Sequence, residues 1–340
     1  MRPSGGGGSR AGRRDRGRGD RAVALEHDRA QPARRDDAPS LRFVKAVTDR
    51  SFNLNFFVTD AARTDPAVLD ATLERLRPWY AKLGLGDPPA ELPPCGPGFD
   101  DARLELLLDL KPRVASFHFG CPDRRSVETL KRAGIVLVST ATNVAEARSL
   151  EAAGMDAIIA QGWEAGGHRG SHTLTEPWEA VGTMALVPQV VDAVSVPVIA
   201  AGGIGDGRGI AAALALGAAG VQMGTAFLRC PETATGAARL ARLRRATDRD
   251  TIVTDAFSGR CARAMRSRFA EEMERDRQQL PAFIQMYALS EPIVAAADDD
   301  DASFHLYGQA AGLVKENGAG DLVERLVRET RSVLERLMIA

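Results

Sequence analysis

The sequence predicts an α/β protein, a TIM (β/α)8-type barrel short of strands, with a small helical accessory domain, and three observations lead there. Short apolar runs alternate with helical patterns through VASFHFG, IVLVST, MDAIIA, PVIAAGG and GVQMGTA, each run too brief to be a helix. No hairpin signal separates these runs, so βα units with parallel strands are expected, and their number and spacing favour a barrel over an open sheet. Glycines cluster at two late strand ends, where barrels commonly hold phosphate through bare backbone N–H groups and a helix N-terminus.

In chain order, residues 1–40 hold GGGG and Arg/Gly runs with few aliphatic residues, and such a segment cannot bury enough apolar surface to offset its ordering entropy. It is expected to be a disordered Gly/Arg-rich tail, and no aromatic residues interleave with the arginines as RNA stacking would require. LRFVKAVT then has helical spacing, and SFNLNFFV alternates as a strand. A helix near 66–77, a Pro/Gly-rich loop and a leucine-rich helix over 101–110 lead into VASFHFG. Helices near 125–133, 144–153, 183–194 and 209–216 fill the gaps between the strands that follow. About six of the eight strands of a full barrel are accounted for. Beyond Phe227 the texture turns helical and charged, apart from an island at TIVTDAFSGR, and a final helix runs to the end. The domains expected are a tail over 1–40, an incomplete barrel over 41–228, a helical accessory or substrate segment over 229–314, and a C-terminal helix over 315–340 packing on the barrel.

Composition narrows the function classes. With 44% hydrophobic and 26% charged residues the chain can bury a large core. A formal charge of -1 gives no reason to expect a nucleic-acid or membrane partner. Cys95, Cys121, Cys230 and Cys261 are widely spaced, which argues against a zinc site or a disulfide framework and suits a reducing cytoplasm. No apolar stretch has membrane-helix length. A homo-oligomer is left open.

The candidate site centres on GMDAIIAQGWEAGGHRGSH. A buried strand there ends in a loop carrying Gln161, Glu164, Gly166, Gly167, His168 and Arg169, at the strand end where a barrel enzyme keeps its chemistry. The glycines permit close backbone approach to a ligand, and His168 can exchange protons near neutral pH. Gly202, Gly203 and Gly205 follow the next strand, and Gly224 and Thr225 the one after; their spacing does not fit a GxGxxG fingerprint.

QGWEAGGHRG, AAGGIGDGRGIAAALALGAAGVQMGTAFL, NLNFFV, SFHFGCP, SGRCAR and LYGQAAGL occur in an order that resembles the nitronate monooxygenase family, formerly 2-nitropropane dioxygenases, over residues 41–340. The resemblance implies an FMN-dependent, metal-free oxidoreductase that oxidises alkyl nitronates with O2 to a carbonyl compound and nitrite. It implies FMN contacts at Asn55, Gln161, Gly166, Gly203, Gln222, Met223, Gly224 and Thr225, with His168 as catalytic base. His118 is expected beside the cofactor or packed within its strand, Arg169 near an anionic substrate or in solvent, and Tyr307 at the entrance. The sequence also resembles the FMN-dependent enoyl-acyl carrier protein reductases, which share an EAGGH-type loop; Gln161 favours the nitronate enzymes.

Family members open with strands of the types PIIQAPM and GGLGSLG, and neither is present here. The barrel is therefore expected to lack its first two strands, exposing sheet edges and opening the core. A shifted reading frame over residues 1–40, or an inactive remnant unable to hold FMN, would account for that.

Overall fold

A computed structural model describes residues 23–25, 50–60, 63–89, 91–96, 98–172, 180–233 and 235–339. Ten strands lie in the described residues: β1 (Val23–Leu25), β2 (Phe52–Phe57), β3 (Val114–His118), β4 (Val136–Ala141), β5 (Ala157–Gln161), β6 (Gly167–His168), β7 (Val198–Ala201), β8 (Gly220–Gln222), β9 (Thr251–Thr254) and β10 (Ala262–Met265). Seven of them form one sheet in the order β1-β2-β3-β4-β5-β7-β8, every pairing parallel. Among the described residues no ladder joins β8 to β1, so the curled sheet is a barrel without full closure. The six strands expected from the sequence are all in place.

The seventh strand, β1, lies in the segment expected to be a disordered tail and pairs in parallel with Phe52–Leu54. Its sequence, VAL, is one of the few aliphatic runs there, and composition averaged over forty residues hides it. The rest of that tail, and the helical pattern expected over 41–48, lie outside the described residues.

Two-sided burial explains the apolar strands. On β2, Phe52, Leu54 and Phe56 face the helices, while Asn53, Asn55 and Phe57 face the barrel interior. Phe117, Leu137, Ile158 and Ala200 continue the outer layer of the core, and the interior is filled by Val138, Ala157, Ile159 and Ala201. Full burial of each large side chain contributes about 1.5–3 kcal/mol. The helices over the barrel strands are α2 (Asp101–Leu110), α3 (Arg124–Arg132), α4 (Val144–Ala152), α5 (Thr183–Val191) and α6 (Gly207–Ala215), following α1 (Pro66–Leu83). Asp65, Asp100, Asp123, Asn143 and Asp206 each cap a helix by accepting from a backbone N–H of its first turn. Each such cap contributes about 1 kcal/mol.

The accessory part, read as helical apart from the island TIVTDAFSGR, also holds strands. The island TIVT forms β9, which pairs antiparallel with β10, and β10 pairs in turn with β6. β-Branched Thr251, Ile252, Val253 and Thr254 suit a strand, and the charged residues around them mask the pattern. The short strand carrying His168 is thus clamped to the accessory part. Helix α1 belongs there too, since Leu76, Trp79 and Tyr80 share a core with Phe257, Phe269, Met286 and Leu289. A linear boundary at 228 cannot capture a helix inserted between β2 and β3. Helices α7 (Ala237–Arg245), α8 (Arg268–Arg275) and α9 (Gln285–Ala296) complete this part, and α10 (Ala319–Ile339) packs on α6. No helix among the described residues is long and apolar enough to cross a membrane.

Candidate active site

At the carboxyl ends of β2 to β5 the inward side chains are Phe57, His118, Thr140 and Gln161. The loop after β5 folds back over them. The Gln161 amide donates to the carbonyl oxygen of His168 at 2.9 Å and accepts from the Gly170 N–H at 2.8 Å, which fixes both ends of the turn. Gln161 therefore spends amide hydrogen-bonding capacity on the loop, beyond the cofactor role the sequence suggested. His118 reaches the same carbonyl with Nε2, 3.0 Å away, while its Nδ1 lies 3.1 Å from the Thr140 hydroxyl. A carbonyl only accepts, so Nε2 of His118 carries the proton and Nδ1 takes the hydrogen of Thr140. Burial lowers its pKa to about 4; the bond to the His168 carbonyl opposes that shift, and the nearby Arg260, His172 and Arg169 add to it. His118 thus sits on its strand at the barrel mouth with both ring nitrogens engaged.

His168 is buried, with Nε2 2.9 Å from the hydroxyl oxygen of Ser258. Its ring meets Phe57, Phe119, Phe283 and Phe304 edge-on, with centroids 5.4–5.9 Å away. Burial, then the nearby His118 and Arg260, lower its pKa to about 3, so the imidazole is neutral at physiological pH. Phe119 holds φ 73° and Ile284, next to Phe283, holds φ 82°, conformations costly for residues with a side chain. Two strained positions beside one aromatic cage point to a site that the surrounding structure over-determines.

Arg169 does not point to solvent. It is buried, and its guanidinium donates to the carbonyls of Gln161 at 2.6 Å and Thr142 at 3.2 Å. Strand-end carbonyls without a ladder partner need such a donor, and sequence order alone does not reveal them. Tyr307 is also no entrance residue: it is fully buried, its hydroxyl donates to the Arg239 carbonyl at 2.6 Å, and the Arg239 guanidinium lies over its ring. Glu164 accepts from the Thr183 N–H and hydroxyl, capping α5.

Sequence reasoning missed Ser258, Arg260, Phe119 and Phe283, which complete the cage from distant parts of the chain. SGRCAR was the available signal for the first two. Arg260 lies 3.9 Å over the Phe119 ring, donates to the Ser171 carbonyl, and has its pKa lowered to about 10 by burial. A cavity of about 310 Å³ opens beside the cage, with Phe283 and Arg260 in its wall along with His172 and Asp60.

The rest of the loop after β5 packs on the 307–309 segment, and the strand ends beyond it differ in character. Gly166 packs directly on Tyr307 and Gly308, and the Gly308 N–H donates to the Thr225 hydroxyl at 2.9 Å. The Gln309 N–H donates to the carbonyl of Glu164, so Gly166, Thr225 and the 307–309 segment are drawn together. Gly203, at φ 72°, lies against Glu164. At β8 the surface is bare: Gln222 and Gly224 are exposed, and a Cβ on Gly220 or Gly224 would meet nothing within 4 Å. Met223 points into the apolar layers. The N-terminus of α6, an expected phosphate seat, already receives carboxylates, as Asp206 accepts from the Arg208 N–H and Glu329 from the Gly207 N–H. On β2, Asn55 accepts from Ser116 at 2.9 Å through Oδ1, and the buried Oδ1 of Asn53 has no partner. Among the described residues no group of three or more His, Cys, Asp or Glu is placed to hold a metal ion.

Residues 36–329 match the family model described as nitronate monooxygenase. A nitronate monooxygenase from Paraburkholderia phytofirmans is 42% identical over 303 residues, 87% of this chain and 82% of that protein. One from Pseudomonas aeruginosa is 41% identical over 297 residues, covering 86% and 84%. Among solved structures, a nitroalkane oxidase from Streptomyces ansochromogenes superposes with a TM-score of 0.81 at 35% identity, over 93% of this chain and 89% of that one. FabK from Thermotoga maritima gives a TM-score of 0.66 at 29% identity, over 93% and 86%.

Proposed function

Because this chain belongs to the nitronate monooxygenase family, we propose that it oxidises alkyl nitronates, and nitroalkanes through them, with O2 on a bound FMN, yielding a carbonyl compound and nitrite. The observation that carries this reading is a neutral imidazole, His168, held at the carboxyl end of a barrel strand inside an apolar cage.

The residues present fit a flavin. The amide of Asn55, bonded to the Ser116 hydroxyl in the middle of the strands, makes the interior face of β2 polar, as the edge of an isoalloxazine requires. Exposed backbone at Gly203 and Gly224, with exposed Gln222 in register with Ala201, suits a phosphate that must be approached by N–H groups. Asn55, Gly166, Gly203, Gln222, Met223, Gly224 and Thr225 would hold the group, Gly166 and Met223 through their backbones; Gln161 would act through the loop it fixes. When bound, FMN supplies the electron acceptor and the site of reaction with O2.

The chain's own contribution is proton transfer and exclusion of water. A nitroalkane C–H next to the nitro group is acidic, and His168 takes that proton when the substrate lies against the imidazole. The phenylalanine cage keeps bulk water from the imidazole and leaves an apolar surface for the alkyl group. A substrate that arrives already as its nitronate needs no such transfer. A desolvated base whose conjugate acid has a pKa of about 3 is weak in the resting site, which favours the nitronate as the better substrate.

The reductase reading uses the same loop with a nicotinamide donor, and the higher identity to nitronate enzymes weighs against it. The test is to load the protein with FMN and follow O2 uptake and nitrite release with ethylnitronate, beside NADH or NADPH. Nitrite formed in step with O2 consumed supports the proposal. Rapid turnover of NADH or NADPH without nitrite supports the reductase, and a protein that takes up no FMN is a remnant.

A further inference from the structure

Ser258 lies 90 residues beyond His168 in sequence, in the turn between β9 and β10, yet the two are in hydrogen-bond contact. The serine is 1% exposed. Its position is fixed by the turn itself: Ser258 N–H donates to the Asp255 carbonyl at 3.2 Å, and Gly259 follows with φ 76°, pressed against the 281–283 segment. The hydroxyl oxygen has two neighbours, His168 Nε2 at 2.9 Å and the Arg260 carbonyl oxygen at 3.1 Å.

A serine hydroxyl has one hydrogen to give, and a carbonyl oxygen can only accept. The hydrogen of Ser258 therefore goes to Arg260, and its oxygen accepts a proton-bearing nitrogen from His168. The opposite arrangement would turn the hydroxyl toward the imidazole and leave the Arg260 carbonyl without that donor. Nδ1 of His168 has no hydrogen-bond partner among the described residues, so it is the ring nitrogen with a lone pair to offer.

We propose that Ser258 is a positioning residue that holds His168 as its Nε2-protonated tautomer and thereby makes Nδ1 the atom that takes the substrate proton; this rests on the reading of His168 as the base. In the transfer, the α C–H bond of the nitroalkane breaks and its proton goes to Nδ1. The bonding pair stays on the substrate as the nitronate, and the imidazolium keeps its Nε2–H on the Ser258 oxygen. The base comes from the barrel and its orienting group from the accessory hairpin, which explains why β6 is paired to β10. The charged and titratable groups facing this pair are His118 and Arg260, and neither competes for Nε2.

The test uses full-length protein with ¹⁵N-labelled histidine. The chain has five histidines, and a His168→Asn sample assigns the resonance. Long-range ¹⁵N–¹H correlation at pH 7 is expected to show His168 with Nε2 protonated and Nδ1 bare. In Ser258→Ala the same nitrogens should move toward the averaged shifts of a tautomer mixture, and Ser258→Thr, which keeps the hydroxyl, should restore the single tautomer. With FMN loaded, Ser258→Ala should oxidise a neutral nitroalkane about 10-fold or more slowly while a preformed nitronate slows less than about threefold, a fraction of what loss of a base costs. A wild-type His168 protonated on Nδ1 would overturn the proposal, and so would a Ser258→Ala protein with an unchanged tautomer. The wild-type spectrum decides the matter even if Ser258→Ala does not fold. Failure of wild-type protein to oxidise any nitronate would defeat the family activity and leave the tautomer result standing.

Discussion

The two sides of the barrel mouth are built on opposite plans. After β5, the amide of Gln161, the guanidinium of Arg169 and the ring of His118 are all spent on carbonyls of the chain itself, and His168 is sealed among four phenylalanines. After β8, Gln222 and Gly224 stand exposed with open space around the backbone. Under the proposed function the first side is a preorganised reaction site whose supporting hydrogen bonds need no ligand, and the second is a cradle that a ligand would complete. Preorganisation is worth most where a reacting atom must be placed, and bare backbone where a phosphate must be reached.

Substitutions should separate the two plans. The largest effect is expected from His168→Asn, which keeps a polar side chain but removes the base. Oxidation of a neutral nitroalkane should fall by about 100-fold or more, whereas a preformed nitronate should lose less than about 10-fold. Initial rates of nitrite release measure both; equal losses on the two substrates would mean that His168 only shapes the pocket.

Glycine substitutions set the closed side against the open one. Gly166→Ala would drive a methyl group into the backbone of Tyr307 and Gly308 and should destabilise the protein by roughly 1–3 kcal/mol. Gly224→Ala meets no neighbour, so its urea midpoint should stay put while FMN binding weakens. Denaturation curves beside FMN titrations check the pair, and a shared loss of stability would dissolve the distinction.

Acid should act on the closed side. Burial holds His168 at a pKa of about 3 and His118 at about 4, below the ordinary imidazole value of 6.5. The unfolded chain therefore binds more protons than the folded one between those values, and stability falls as pH drops from 6.5 toward 4. The unfolding midpoint should follow that slope, with a shallower slope in His118→Asn. The smallest effect is expected at Tyr307, whose hydroxyl only ties the accessory segment to the Arg239 carbonyl. Tyr307→Phe should cost about 1 kcal/mol and leave substrate oxidation unchanged.

Much of the barrel was legible because two-sided burial writes itself as short apolar runs, and all six expected strands have their register partners. β1 was hidden because three aliphatic residues in a Gly/Arg-rich background carry too little periodic signal. The position of His168 after a strand was legible from the local sequence. Its tautomer was not, since that depends on Ser258, brought near by a pairing between β6 and β10 that spans the chain. The burial of Arg169 and Tyr307 was hidden for a related reason: their partners are backbone carbonyls, which every residue offers and no motif marks.

The most direct measurement is anaerobic mixing of the FMN-loaded chain with an excess of ethylnitronate while absorbance near 450 nm is followed. The account predicts bleaching by the nitronate, slow or no bleaching by NADH and NADPH, and recovery of the colour when air is admitted. A flavin that stays oxidised under nitronate but bleaches at once with a reduced nicotinamide would contradict it.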